Sequence, residues 1–366
     1  MHLCLGLISG TILFLVALSG ALYCFAPEIQ ALTQPYRKIT PASGPVLSAA
    51  AILSICEEII PGEKPGRIYY HGTNKALEIV YYRNKKPERA LFVHPYNGRI
   101  LKDKNLQSDP IQVLFYFHRT LLLPKGELIT GSATFLFLFL LVSGIWLWWP
   151  RNKAASKQRF RIKWTASPKR LGYDLHSTIG FYSCWLGILF AITGLSFSFP
   201  WFAKSIYAVT GASESSIVQT APVSVSADSS ALPIDFNSAV DLVWKTAQQD
   251  AQKYKRIMLV LPAQPGGPIL LRGNPDPDQL YRSDFRYFNQ FNGKEIVGDY
   301  VWGNYVNATV PADYLKRMNY DIHTGAILGL PGRILAFIGS LLIASLPVTG
   351  FLLWKRRPLK EVKGEK

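Results

Sequence analysis

Four long apolar runs organise the chain, at 3–25, 128–149, 176–199 and 334–354, and none of them contains an acidic or basic residue. A helix of about 20 apolar residues crosses the ~30 Å hydrocarbon core of a bilayer, so the pattern predicts four transmembrane helices. The first run is expected to stay in the protein. It lacks the basic n-region of a secretory signal, and Ala21-Leu22-Tyr23-Cys24 is a poor lipobox.

Between the runs lie two polar segments, 27–112 and 202–318, too long for simple loops. In the first, 48–60 has helical apolar spacing, 67–70, 77–82 and 90–93 alternate as strands do, and Asn97-Gly98 predicts a hairpin turn before 99–101. The second repeats this order. A helix is expected over 239–247, strands over 257–261, 268–272 and 285–288, then an Asn292-Gly293 turn and a strand over 295–297. The expected fold is an integral membrane α-helical bundle of four transmembrane helices, built by internal duplication, with two α+β modules outside the cytoplasm.

The expected division is 1–26 for the first span, 27–112 for the first module, and 113–150 for a histidine-bearing segment with the second span. A basic loop follows at 151–173, the third span at 174–201, and the second module at 202–318. Residues 319–354 hold another histidine-bearing segment with the fourth span, and 355–366 form a basic tail.

Composition agrees with burial in lipid: of 366 residues, 49% are hydrophobic and 17% charged. The formal charge of +16 raises nucleic-acid binding as an alternative, and placement decides against it. Most of the excess sits in the basic loop, from Arg151 to Arg170 with no acid before Asp174, and in the tail after Trp354. Short basic segments beside spans fix topology. Both are expected to be cytoplasmic, with the N-terminus inside and the polar segments on the opposite side. Trp146, Trp148, Trp149 and Trp354 stand beside them as an interfacial belt. Cys4, Cys24, Cys56 and Cys184 form no CxxC pair, so they suggest neither a disulfide framework nor a zinc site.

The internal repeat extends into the membrane. His2-x3-Gly6-x2-Ser9 aligns with His176-x3-Gly180-x2-Ser183, and the same offset carries Ala17-Leu18-Ser19-Gly20 onto Ala191-Ile192-Thr193-Gly194. Ser143-Gly144 aligns with Thr349-Gly350. His118 and His323 fall just before the breaks Pro124-Lys125-Gly126 and Pro331-Gly332. Four of the six histidines therefore occupy matching positions, predicting a His2/His176 pair at the cytoplasmic rim and a His118/His323 pair at the outer rim.

Neutral imidazole is a good axial ligand for haem iron, and bis-histidine ligation favours electron transfer. Two bis-histidine haems b are expected, with the glycines clearing space for the macrocycle: Gly20 and Gly194 at the outer pair, Gly144 and Gly350 at the inner. A bulky residue at 194 should then remove the outer haem. Arg119 and Arg333 are read either as propionate partners or as snorkelling side chains. His71 and His94, unmatched in the other half, are read as solvated. Arg67, Tyr69, Tyr81, Arg282, Arg286 and Tyr287 are read either as contacts for an anionic or aromatic chelate or as strand-face packing.

The segments HLCLGLISG (2–10), VHPYNGRIL (93–101), FHRTLLLPKGE (117–127), DLHSTIGF (174–181), YFNQFNGKEIV (287–297) and DIHTGAILGLPGR (321–333) resemble the PepSY-associated transmembrane family. Within it the chain is most similar to inner-membrane reductases of ferric siderophores. The resemblance covers nearly the whole chain and carries the family's helix-end histidines onto His2, His118, His176 and His323. It departs in lacking a basic stretch ahead of His2. It implies a bacterial inner-membrane oxidoreductase with periplasmic modules that reduces a ferric siderophore for iron uptake, its electrons supplied by a cytoplasmic or quinol donor. No GxGxxG or flavin motif is present to supply them internally. Two other readings stay open: a quinol-linked b-type cytochrome with another acceptor, and a haem-free membrane-anchored binding or regulatory protein.

Overall fold

The computed structural model describes residues 1–41, 44–150, 152–153, 159–212, 221–224, 234–297 and 303–355. Arg151 and Lys157 of the basic loop, and the tail from residue 356 onward, lie outside them. The helices are α1 (His2–Tyr23), α2 (Ala26–Thr33), α3 (Ala49–Ile59), α4 (Pro110–Thr120), α5 (Gly126–Trp148), α6 (Pro168–Ser198), α7 (Pro200–Val209), α8 (Phe236–Gln249), α9 (Pro311–Thr324) and α10 (Gly329–Lys355). The strands are β1 (Arg67–Tyr70), β2 (Leu77–Arg83), β3 (Lys86–Val93), β4 (Ile100–Asn105), β5 (Arg256–Val260), β6 (Ile269–Asn274) and β7 (Asp284–Phe288). The chain forms two compact units: Met1–Ala26, Val113–Ala203 and Ile322–Lys366, and Pro27–Gln112 with Lys204–Asp321.

In the first unit, four helical stretches are long and apolar enough to cross a membrane: His2–Tyr23, Gly126–Trp148, Pro168–Ser198 and Ala326–Lys355. α1 packs against α5 and α10, and α6 packs against the same two, closing a ring of four helices. The polarity is inverted relative to a water-soluble bundle. Ser9, Ser19, Thr130, Ser183 and Thr193 are buried, while Phe139, Trp146, Leu147 and Trp185 are exposed. Small residues allow close helix approach and the large apolar ones meet lipid, as expected of an integral membrane protein.

The third helix departs from the prediction. It starts at Pro168, with Pro in its first turn after Ser167, so His176 lies two turns inside it and not at its beginning. Hydropathy does not mark these turns because they carry Lys169, Arg170 and Asp174. Arg170 donates to Asp174 one turn on at 2.8 Å, which suits a helix continuing past the apolar stretch.

Two sharp corners precede the second span of each half. At the first, Leu121, Leu122 and Lys125 all adopt left-handed backbone. A Cβ on Gly126 would lie 1.8 Å from the Thr120 carbonyl oxygen, so only glycine fits. At the second corner Gly325 and Gly332 oppose each other, and a Cβ on Gly332 would lie 2.1 Å from the Gly325 oxygen. These contacts fix the helix ends that carry His118 and His323.

The second unit is built on one antiparallel sheet in the order β4-β3-β2-β1-β5-β6-β7. The two polar segments therefore do not fold as separate modules. β1 of the first pairs with β5 of the second, in the register Ile68↔Leu259 and Tyr70↔Ile257. Each half-sheet alone would leave an open edge at this strand, and the pairing removes both edges. Alternation reveals a strand but not a partner about 190 residues away. Ser48 and Asp235 cap α3 and α8, accepting from Ala51 N and Ser238 N at 3.1 Å each. Both helices lie on one face over Ile68, Leu77, Ile79, Leu91, Ile257, Leu259 and Leu271, with Trp244 at the centre of this core. The predicted strand at 295–297 is reduced to an isolated bridge, Phe288↔Glu295, followed by one hydrogen bond from Ile296 N to Tyr287 O at 2.8 Å.

Candidate functional site

Each of the four predicted histidines lies against a Ser/Thr-Gly step of a neighbouring helix. His2 of α1 meets α5, where its Nδ1 is 2.9 Å from Ser143 Oγ and its Cε1 lies 3.5 Å from the Cβ position of Gly144. His176 of α6 meets α10, with Nδ1 2.9 Å from Thr349 Oγ1 and Cε1 3.3 Å from the Gly350 position. His323 of α9 meets α6, with Nδ1 2.8 Å from Thr193 Oγ1 and Cε1 3.4 Å from the Gly194 position. His118 of α4 meets α1, with Nδ1 2.9 Å from the Val16 carbonyl oxygen and 3.4 Å from Ser19 Oγ. Its Cε1 lies 2.9 Å from the Gly20 position.

One of these contacts decides which ring nitrogen carries the proton: a carbonyl oxygen only accepts, so His118 Nδ1 donates to Val16. At the other three rings the partner is a hydroxyl, which both donates and accepts, and Ser143, Thr349 and Thr193 each also reach a carbonyl of their own helix, Leu140 O, Ser345 O and Leu189 O. A hydroxyl whose proton is spent on that carbonyl accepts from Nδ1. All four rings face their steps through Nδ1. A donated Nδ1 proton with a free Nε2 lone pair is the arrangement that prepares histidine as a metal ligand.

The structure brings one predicted pair into ring contact and the other, His2 and His176, within electrostatic range of each other. The His118 and His323 ring centres are 6.0 Å apart, with planes inclined at 58°. Two imidazoles sharing one metal through bonds of about 2 Å hold their centres roughly 6 Å apart. Phe190 and Phe197 close edge-to-face on His323 at 6.0 and 5.7 Å. His2 and His176 sit on their own Ser/Thr-Gly steps and make no ring contact with each other among the described residues. Nor do the described residues include three or more His, Cys, Asp or Glu side chains grouped to hold a bare ion. Imidazole pairs of this kind suit a metal whose remaining donors come from a macrocycle, so the residues fit haem in donor chemistry and, for the outer pair, spacing.

Several expectations are corrected. Gly20, Gly144, Gly194 and Gly350 lie against the imidazole rings themselves, whereas the Cβ position of Gly6 meets nothing within 4 Å. His71 is not solvated: its Nε2 is 3.2 Å from Glu78 Oε2 and its ring stacks on Tyr69. The β1–β2 register, with Tyr69 opposite Glu78, creates that contact. Arg119 donates to Glu127 at 3.2 Å, so its charge already has a carboxylate partner. Tyr81 is buried in the sheet core, and Arg286 is paired with Asp250 and Glu295. The hydroxyls of Ser143, Thr193 and Thr349 were not anticipated as positioning groups. Their signal was present in the repeated Ser/Thr-Gly dipeptide.

The fold and site define an integral membrane protein with four spans, an α+β unit, and four imidazoles each set against a Ser/Thr-Gly step of a neighbouring helix. The PepSY-associated TM region matches residues 1–357, and the chain belongs to that family. Comparison with curated proteins returns no match.

Proposed function

We propose that the chain is a bacterial inner-membrane electron carrier that reduces a ferric siderophore on the periplasmic side. The observation that carries this reading is the common setting of His2, His118, His176 and His323, each with Nδ1 turned to an oxygen at a Ser/Thr-Gly step of a neighbouring helix. His118 and His323 would hold one haem b and His2 and His176 a second. Haem bound there supplies one-electron Fe(III)/Fe(II) chemistry. The protein's own contribution is positional: hydroxyls and one carbonyl hold the rings at Nδ1, glycines let the rings approach the neighbouring helices, and phenylalanines exclude water around His323.

The basic loop and tail orient both termini to the cytoplasm, where a cytoplasmic or quinol donor delivers electrons. The α+β unit then faces the periplasm, and the matching halves reflect an internal duplication. Reduction of the chelated Fe(III) weakens its bonds to hard oxygen ligands and frees Fe(II) for uptake. The test is an absorption spectrum of the purified protein with and without dithionite, followed by anaerobic reoxidation with a ferric siderophore. Low-spin b-type bands that shift on reduction and return with the siderophore are expected. Loss of one of the two haems, with the other's bands retained, is expected in His118→Ala and in His323→Ala. A colourless protein, or single alanine variants that leave bound haem unchanged, would refute the proposal.

A further inference from the structure

The sheet face opposite α3 and α8 carries a second cluster. Strand alternation puts Arg67 and Tyr69 of β1, Arg256 and Met258 of β5, and Arg272 of β6 on it, while Ile68, Ile257 and Leu271 point into the helix-covered core. Tyr69 is opposite Met258, and Met258 is opposite Arg272. Arg67, opposite Val260, and Arg256, opposite Asn274, lie one same-face step to either side of that row, so Arg256 and Arg272 are diagonal neighbours and Arg67 joins them through Tyr69. Arg67 donates to Tyr69 Oη at 3.3 Å and lies over the Tyr82 ring at 4.9 Å. Arg256 lies over the Tyr69 ring at 5.3 Å. Arg272 is fixed by donation to Ser283 Oγ at 2.9 Å and to the Leu280 carbonyl at 3.2 Å.

None of the three forms an ion pair among the described residues, whereas Arg37, Arg89 and Arg286 each bind a carboxylate. Of the neighbouring acids, Glu78 is held by Arg37 and His71, and Asp321 accepts from Tyr281 N through Oδ2 at 2.7 Å. The Asp321 Oδ1 has no hydrogen-bond partner among the described residues, and the charge of Asp321 offsets part of that of Arg272 without forming an ion pair. Half-buried guanidinium groups in one cluster repel one another, and an anion that bridges them removes that cost. The diagonal pair Arg256 and Arg272 is about 7–8 Å apart at the strands, and Arg67 starts farther away and reaches the cluster at Tyr69. That spread exceeds the reach of a single phosphate and suits separate carboxylates on one small acid. Guanidinium forks match carboxylates edge-on, and aromatic faces hold the forks in place.

We propose that Arg67, Arg256 and Arg272 form a binding site for a soluble polycarboxylate, with Tyr69 and Tyr82 as its aromatic walls. The site stands whether or not the chain carries haem. For the proposed reductase it selects an anionic, carboxylate-bearing ferric chelate, and that clause alone rests on the proposed function.

Isothermal titration calorimetry of citrate into the purified full chain, in neutral detergent, tests the site without using a redox readout. Saturable binding is expected in the parent protein. Arg67→Gln and Arg256→Gln should each weaken it roughly tenfold or more, the double variant should abolish it, and Arg256→Lys should retain part of it. Arg67 and Arg256 make few other contacts, so unchanged circular dichroism and melting are expected and separate a lost site from a lost fold. Absence of saturable heat from the parent, or unchanged affinity in both glutamine variants, would overturn the proposal. So would binding of phosphatidylglycerol vesicles that requires the arginines while citrate neither binds nor competes, because the site would then serve a lipid headgroup. Failure of the haem reading would appear separately, as a missing spectrum with citrate binding intact.

Discussion

The four Ser/Thr-Gly steps are not equally tight, and the difference gives a sharp prediction. A methyl group at Gly20 would lie 2.9 Å from His118 Cε1 and 3.1 Å from Nδ1. Ordinary contact needs about 3.5 Å, so the ring must retreat by roughly 0.5 Å. It is held by Nδ1 donation to Val16 O at 2.9 Å, and retreat would stretch this bond to about 3.4 Å, beyond the effective range. Overpacking costs about 1–3 kcal/mol and the weakened hydrogen bond about 1 kcal/mol. Together these come to about 2–4 kcal/mol, so Gly20→Ala should lower occupancy of the His118/His323 site by roughly thirty- to a thousandfold in haem affinity. Gly144→Ala meets His2 at 3.5 Å and Gly194→Ala meets His323 at 3.4 Å, both ordinary contacts, and both should be nearly silent. Haem stoichiometry by pyridine haemochrome, with melting temperature as a fold control, reads all three. The reasoning fails if Gly20→Ala equals the parent in both measurements, or if Gly144→Ala is the more damaging change.

Thr193→Val keeps the shape of the side chain but removes the acceptor for His323 Nδ1, and should weaken haem retention about ten- to a hundredfold or shift the reduction potential of the outer site. A spectroelectrochemical titration checks this. Gly126→Ala forces a methyl into the Thr120 carbonyl and should cost about 3 kcal/mol or more, seen as a lower melting temperature together with loss of the His118 site. In the sheet unit, burial alone would raise the Glu78 carboxyl, but the His71 hydrogen bond and the Arg37 charge outweigh it and hold the pKa at about 2. Because the folded value is depressed, the stabilisation is complete above the unfolded value near 4.5 and disappears as pH falls through 2. Glu78→Gln should therefore flatten the acid limb of stability between those values, measured by circular dichroism melts. A limb as steep as the parent's would refute it.

Much of this molecule is legible because the bilayer and the pleated sheet impose simple periods. The apolar runs locate the four spans to within a turn at most ends, except at Pro168, where charged residues continue the helix past its apolar part, and at Gly329, five residues before the fourth run. Strand alternation locates all of β1 through β7, within two residues except at the start of β3 and the end of β4, each four residues off. It does not locate the β1–β5 pairing, which depends on two edges meeting across the whole chain. The same limit applies to the sites. Four histidines in matching positions mark themselves, but Arg67, Arg256 and Arg272 become a cluster only through strand register. Their separation of nearly two hundred residues, with no motif around them, leaves no linear signal. The glycines show a subtler gap: their level beside the histidines could be read, whereas the object they clear space for needs coordinates.

The wiring of the hydrogen bonds adds a constraint that no single residue carries. α1 supplies His2 to α5 and also receives His118 from α4; α6 supplies His176 to α10 and also receives His323 from α9. Each of these two helices thus presents a histidine in its first half and a Ser/Thr-Gly step that receives another histidine near its far end. A rigid shift of α1 along its axis would disturb both its own imidazole and the carbonyl that fixes His118. Packing changes that tilt α1 or α6 should therefore perturb both histidine pairs together, whereas changes confined to α5 or α10 should reach only the inner one, because those helices hold steps for His2 and His176 alone.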